Sequence, residues 1–139
     1  MTKSRLAILL CGLGVSASLP VLAHHSFAMF DQSKEVTLVG TVTEFQWTNP
    51  HAFIHVEVKE GAQTGVWDIE LNSPNNLKRQ GWKPDSVKAG DKVTLLANPL
   101  RDMSQHKGGL FIAVTLPDGK VLGDQTRADR SRPVNVPTP

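Results

Sequence analysis

The sequence has little cysteine and no tyrosine, and its one cysteine lies near the start of the chain. That residue, Cys11, falls inside residues 1–23, a segment with the features of a removable export signal. Without this segment the chain contains no cysteine, which excludes a disulfide, a thiolate nucleophile and a cysteine-ligated metal site. The total length of 139 residues predicts a single domain.

An excess of charge of one sign is also lacking once the export signal is set aside. The full chain holds 15 basic and 13 acidic residues, and residues 1–23 contain Lys3 and Arg5 but no acidic residue. Removing those two basic residues leaves equal numbers of basic and acidic side chains. A neutral chain lacks the positive surface that drives nucleic-acid binding by counterion release. We therefore expect no nucleic-acid partner.

The N-terminal segment predicts export to the periplasm. A charged start is followed by the apolar run Leu6–Val15, by Pro20 and by a small-residue cleavage pattern that ends at Ala23. The apolar run is too short to span a bilayer, which needs roughly 20 residues. A lipoprotein is the weaker alternative, because a lipidation motif would place a small residue before Cys11, where a leucine stands. Cleavage after Ala23 would make His24 the first residue.

Alternating and β-branched residues predict five strands. In the second of them, apolar residues at positions 52, 54, 56 and 58 alternate with aromatic or polar ones, as in a strand with one buried face. Gly40, inside the first strand, predicts a bulge or a sharp bend. The predicted strands are Val36–Trp47, Ala52–Glu60, Val66–Leu71, Lys92–Ala97 and Leu110–Leu116.

A short helix is predicted between the third and fourth strands. Ser73 can cap it, Pro74 suits its first turn and Gly81 ends it, so that the helix covers Pro74–Gln80. Three strands, one helix and two strands are the element order of the OB-fold, a five-stranded, partly open Greek-key barrel. We therefore expect an all-β, OB-like fold.

This pattern divides the chain into four parts. The export signal, residues 1–23, is followed by an N-terminal arm over residues 24–35 and by the barrel over residues 36–117. Gly, Asp, Arg and Pro accumulate after the barrel, and no hydrophobic period is present. Residues 118–139 are therefore predicted to be a disordered tail.

Several short motifs together resemble one protein family. They are His24–Phe27, Trp47–His51, Trp67–Leu71, Ser73–Leu77, Gly81-Trp82 and Gly90-Asp91. The chain resembles a domain-of-unknown-function family of small exported bacterial proteins, whose mature members begin near His-His-Ser-Phe. The resemblance covers about Ala23 to Pro117 and implies a periplasmic OB-like domain. It implies no established activity and supplies no catalytic residues.

Cleavage after Ala23 would create a metal-binding arrangement that the precursor lacks. A terminal His24 offers its free amine and its imidazole as a chelate, and His25 adds a second imidazole and a backbone nitrogen. Cu(II) heads the affinity series of divalent ions and favours tetragonal nitrogen sites. We therefore predict a transition-metal site, copper above zinc, at these two residues. The alternative is a frayed terminus whose histidines bind nothing.

Three further histidines and one methionine are candidate ligands. His51 follows the first strand, and Met103 and His106 lie between the fourth and fifth, in two loops that flank the ligand-binding face of an OB-fold. Thioether and imidazole suit copper, so these three side chains are predicted to converge, with a plain polar loop as the alternative. His55 shares a predicted face with Glu57 at about 6–7 Å, where a solvated strand face is the simpler interpretation.

No catalytic constellation is present in the sequence, which has no nucleophile elbow, no Gly-rich phosphate loop and no HExxH motif. We therefore expect a non-catalytic binding module rather than an enzyme. The alternative to a metal is an envelope protein or a glycan bound through the barrel face, where Trp47 would be a stacking platform. A third hypothesis is a copper-dependent oxidative enzyme whose ion is held by a histidine brace at His24.

Overall fold

Six strands, two α-helices and a 3₁₀ turn form the part of the chain that the computed structural model describes, residues 27–59 and 61–131. The predicted export signal, His24 and His25 lie outside these residues. Neither helix within the two ranges has the length and apolar character needed to cross a membrane. The elements are the 3₁₀ turn Phe27–Met29, β1 (Val36–Gln46), β2 (Phe53–Val58), β3 (Gly65–Glu70), α1 (Pro74–Arg79), β4 (Lys92–Pro99), β5 (Lys107–Thr115), β6 (Val121–Gly123) and α2 (Gln125–Ser131).

The strands form a closed barrel with the order β3-β2-β1-β4-β5-β6. Neighbours in this order are antiparallel, and a parallel pairing of β3 with β5 closes the first five strands on themselves. With α1 placed between β3 and β4, this is the OB-like arrangement that the sequence predicts. The predicted fold class is therefore confirmed.

The predicted alternation of β2 and β3 matches the observed burial. Ile54, Val56 and Val58 of β2 are buried, as are Trp67 and Ile69 of β3. An antiparallel barrel strand buries only one face, so every second side chain enters the core. The adjoining Ala52, Leu71 and Trp82 are buried as well, while Trp47 is half-buried at the edge of the same core.

Helix α1 covers one end of the barrel and begins and ends where the sequence predicts, within one residue. The Ser73 hydroxyl accepts a hydrogen bond from the backbone N–H of Asn76 at 3.4 Å, and Pro74 occupies the first turn. Gly81 follows the helix with a φ of +86°, a conformation that favours glycine. This geometry buries Leu77 against the core.

Gly40 has a different role from the predicted one. The bulge of β1 falls between Val42 and Glu44, because the pairing with β2 shifts there. At Gly40 the backbone of β2 crosses close to β1, and a Cβ atom at this position would lie 2.5 Å from the carbonyl oxygen of Glu57. Glycine is therefore required by a close backbone approach.

The prediction of a disordered tail from residue 118 is wrong for residues 118–131. Strand β6 pairs with β5, and α2 packs Ala128 against Leu96, Ile112 and Ala113. Arg127 of α2 also forms an ion pair of 2.6 Å with Glu35. Strand β6 and helix α2 are short and carry few apolar residues. They are ordered because they pack on the outer face of β5, a tertiary contact that hydrophobic periodicity in the sequence cannot show.

Candidate functional site

The N-terminal arm is bound to the end of β4. Phe30 is buried and forms a β-bridge with Leu100, and the backbone N–H of Asp31 donates to the carbonyl of Pro99 at 2.8 Å. Arg101 donates from its backbone to the carbonyl of Met29 at 2.9 Å and from Nε to the carbonyl of Ala28 at 3.0 Å. These hydrogen bonds fix where the preceding residue, Phe27, lies on the barrel.

Phe27 lies at a cleft of about 500 Å³ beside the junction of β3 and β5. Such a volume is typical of ligand pockets, which are mainly apolar with a few polar groups. We call it the His51 cleft. Its apolar lining includes Phe27, Leu77, Trp82 and Phe111, and its polar lining includes His51, Glu70, Asn72 and Asp124.

His51 and Glu70 form a hydrogen-bonded pair within this cleft. The Nδ1 atom of His51 lies 2.5 Å from Oε1 of Glu70, whose side chain is only 10% exposed. The strand register explains the contact, because Glu70 pairs with Phe53 and His51 precedes Phe53 by two residues on the same face. A carboxylate that accepts from Nδ1 fixes the orientation of the imidazole ring.

A second histidine–carboxylate pair lies on the same face and has a different partner from the predicted one. The sequence pairs His55 with Glu57, but Nδ1 of His55 lies 2.6 Å from Oδ1 of Asp68, its direct partner across β3. Nε2 of His55 lies 3.3 Å from Oε1 of Gln46. Glu57 instead lies 3.3 Å from Lys59. Both ring nitrogens of His55 thus contact neighbouring side chains.

The structure does not bring His51, Met103 and His106 together. His51 contacts Glu70, which pairs with Leu110 of β5. His106 precedes Lys107, which pairs with Trp67 of β3. Glu70 and Trp67 are three residues apart on β3, a distance of about 10 Å along the strand. Met103 packs against the barrel core and His106 is exposed. Within the described ranges, no three His, Cys, Asp or Glu side chains are grouped closely enough to hold a metal ion.

Two carboxyl groups outside the cleft have lowered pKa values. Hydrogen bonds from the side chain of Ser33 and then of Lys34 lower the pKa of Asp31, which outweighs the opposing effect of burial. The backbone N–H and then the hydroxyl of Ser104 lower the pKa of Asp102. Asp31 belongs to the arm, and its Oδ1 also lies 3.8 Å from Nη1 of Arg101, so its ionised form contributes to holding the arm in place.

A comparison with protein families identifies the chain. The model of a family of unknown function, DUF6152, matches residues 13–110. The chain belongs to the DUF6152 family. The match confirms the resemblance to a family of unknown function and includes the arm, β1 to β4 and the His51–Glu70 pair. In this DUF6152 protein the rest of β5, strand β6 and helix α2 follow the matched residues.

Other comparisons add a distant structural neighbour. The crystal structure of Rim1, a mitochondrial single-stranded DNA binding protein from S. cerevisiae, is similar to the DUF6152 chain with a TM-score of 0.46 and 12% sequence identity. The similarity covers 60% of this chain and 92% of that one. No curated protein matches the chain.

The sequence of the DUF6152 protein did not identify three residues of the cleft, namely Phe27, Glu70 and Asp124. Alternation along the third strand places Glu70 on the face opposite Trp67 and Ile69 but does not show that His51 contacts it. Asp124 precedes α2, in the segment that the sequence predicts to be a disordered tail. Two signals were available in the sequence. The terminal Glu of the third strand faces the start of the second strand in a hairpin, and Asp124 is a helix N-cap residue type.

Proposed function

We propose that this DUF6152 protein is an exported, non-catalytic binding module that holds a transition-metal ion, copper above zinc, between its processed N-terminus and the His51 cleft. One observation carries the proposal: the bound arm places Phe27 on the cleft that also contains the His51–Glu70 pair. The candidate ligands His24 and His25 come directly before Ser26 and Phe27 in the chain.

Chain length supports a shared site. His25 precedes Phe27 by two residues and His24 by three. At no more than about 3.6 Å per residue, their backbones lie within about 7 and 11 Å of Phe27. An imidazole from this segment is therefore within reach of the cleft. The residues do not need a long flexible tether to meet His51.

The donor set fits a copper ion. The terminal amine and the imidazoles of His24 and His25 are nitrogen donors, which Cu(II) prefers in a tetragonal arrangement. His51 would add a further imidazole, and its contact with Glu70 is the hydrogen bond that metal-binding histidines usually donate to a carboxylate. The carboxylates of Glu70 and Asp124 also make the cleft favourable for a cation.

The experiment compares four processed proteins in a Cu(II) titration followed by the copper d–d absorption. They are the native chain starting at His24, the same chain with one extra residue before His24, His51→Ala and His55→Ala. We expect the extended chain and His51→Ala to lose affinity by about tenfold or more. His55→Ala is the matched control, because it removes the other histidine–carboxylate pair of the same face, and it should change affinity by less than twofold.

Equal affinities of the native and extended chains would contradict a site built on the terminal amine. An equal loss in His51→Ala and His55→Ala would contradict the role of the cleft. Absence of copper binding in all four proteins would overturn the proposal and favour the alternative, in which the barrel face contacts an envelope protein or a glycan. A parallel titration with Zn(II) tests whether the protein binds copper more tightly than zinc.

A further inference from the structure

A second groove lies on the outer face of β1, β4 and β5. Its volume is about 440 Å³. Its floor is formed by Thr37 and Val39 of β1, Thr94 and Leu96 of β4, and Ala113 and Thr115 of β5. We call these six residues the outer strip. None of them is charged, and Val39 is 69% exposed, more than any other large hydrophobic side chain in the described ranges.

The register arranges the outer strip in two rows. Thr37, Leu96 and Ala113 are paired across the three strands, and so are Val39, Thr94 and Thr115. Residues two apart on a strand lie about 6.6 Å apart, which sets the spacing of the two rows. Each row crosses two strand spacings, or about 10 Å. The strip is thus an uncharged surface with a regular spacing of side chains.

Helix α2 covers Leu96 and Ala113 of this surface, which are buried, and leaves Thr37 and Val39 exposed. Ala128 packs against Leu96 and Ala113, and the last residue of the helix, Ser131, lines the groove beside them. The small hydrophobic cluster under α2 therefore continues into the groove instead of ending at the helix. Ser131, the last described residue, thus lies at the edge of the outer strip.

We propose that residues 132–139 of this chain occupy the groove, with Val134 and Val136 packed on the outer strip. The segment has the sequence Arg-Pro-Val-Asn-Val-Pro-Thr-Pro, so after Arg132 it has no charged side chain. An uncharged segment matches an uncharged groove. Its prolines favour an extended backbone, which needs no hydrogen bonds from the interior strands beneath it.

Length and spacing agree with this occupant. Val134 follows Ser131 by three residues, and three extended residues span about 10 Å, enough to pass from β5 to β1. Val134 and Val136 are two residues apart, so on an extended segment their side chains share a face at about the spacing of the two rows. Both valines can therefore contact the strip together, one beside Thr37 and one on the row of Val39 and Thr94.

The test is nuclear magnetic resonance of the processed protein with ¹³C-labelled methyl groups. We expect nuclear Overhauser effects between the methyl groups of Val134 or Val136 and those of Val39 or Thr94. The methyl groups of Val66, which is 56% exposed on β3 and outside the groove, should show none to these valines and are the internal control. A mixture of labelled and unlabelled protein distinguishes contacts within one chain from contacts between chains.

A second measurement uses variants. Val39→Asp and the double variant Val134→Asp/Val136→Asp should each raise the unfolding equilibrium constant roughly tenfold, and combining them should add little, because the residues contact each other. Val66→Asp should leave this constant within about twofold. Absence of the methyl contacts in the folded protein, contacts only between different chains, or fully additive effects of the two substitutions would each overturn the proposal.

Discussion

Phe27 and His51 line the same cleft, although Phe27 belongs to the N-terminal arm and His51 to the loop between β1 and β2. The arm reaches this position because Phe30, Asp31 and Arg101 hold it against the end of β4. As a result, the first described residue of the arm, Phe27, lies at the cleft that contains the His51–Glu70 pair.

Glu70→Gln should weaken copper binding without removing a side chain from the cleft. The substitution replaces the carboxylate that orients His51, and loss of such a partner lowers metal affinity by about 10- to 100-fold. Asp68→Asn is the matched control, because it makes the same change at His55 and should leave affinity unchanged. Titration with Cu(II) measures both. Equal losses of copper affinity in the two variants would contradict a specific role of Glu70 in orienting His51.

Helix α2 should contribute measurably to stability. A chain that ends after Asp124 loses the burial of Ala128 and the ion pair between Arg127 and Glu35, and we expect a cost of about 1–3 kcal/mol. The control is a chain that ends after Ser131, which keeps the helix and lacks the same final residues. Thermal unfolding followed by circular dichroism compares them. Identical midpoints would mean that α2 adds nothing to the barrel.

Trp67→Ala should be among the most damaging substitutions in the barrel. Trp67 is 2% exposed and donates from Nε1 to the carbonyl of Gln63 at 2.7 Å. Removing a large buried aromatic side chain costs about 3–5 kcal/mol. The neighbouring Val66 is mostly exposed, and Val66→Ala should cost about 0.5 kcal/mol or less. Urea unfolding gives both values, and similar costs would contradict the assignment of Trp67 to the core.

Ser33→Ala should destabilise the protein in a pH-dependent manner. The Ser33 hydroxyl is the largest cause of the lowered pKa of Asp31. A carboxyl with a folded pKa below its unfolded value of about 3.9 adds stability above that value, and this stability is lost as the pH falls through the folded pKa. The thermal midpoint of Ser33→Ala should therefore lie below that of the wild type at pH 7 and approach it below pH 3. Ser33→Thr, which keeps the hydroxyl, is the control. A pH-independent difference would contradict the assignment.

Features of the fold that depend on local pattern could be predicted from the sequence. The alternation from Ala52 to Val58 identified the buried face of β2, because each strand of the barrel buries only one face. Ser73 and Pro74 marked the start of α1, because capping is a local interaction. Helix α2 was missed, because its stability comes from Ala128 packing on a face of β5 that only the tertiary fold creates.

The sequence indicated which histidines belong to the candidate site but not which side chains they contact. His51 and His55 were recognised as candidate ligands, and their carboxylate partners were not, because both contacts cross from one strand to the next. Which residues meet across two strands depends on the register, and a shift of one residue would place Glu70 and Asp68 on the opposite face. The convergence of His51 with Met103 and His106 was inferred from loop positions, and the level of each loop along the barrel keeps them apart.

The most direct test of the central claim is to locate bound Cu(II) in the processed protein. Cu(II) is paramagnetic and broadens the amide resonances of residues close to it. With one equivalent or less of Cu(II), a metal ion shared by the N-terminus and the His51 cleft should selectively broaden the resonances of Phe27, Glu70 and Asn72, which line the cleft. Resonances of Ser104 to Lys107, in the loop that contains His106, should stay sharp. Broadening confined to that loop, or no residue-specific broadening, would contradict a metal site shared by the N-terminus and the His51 cleft.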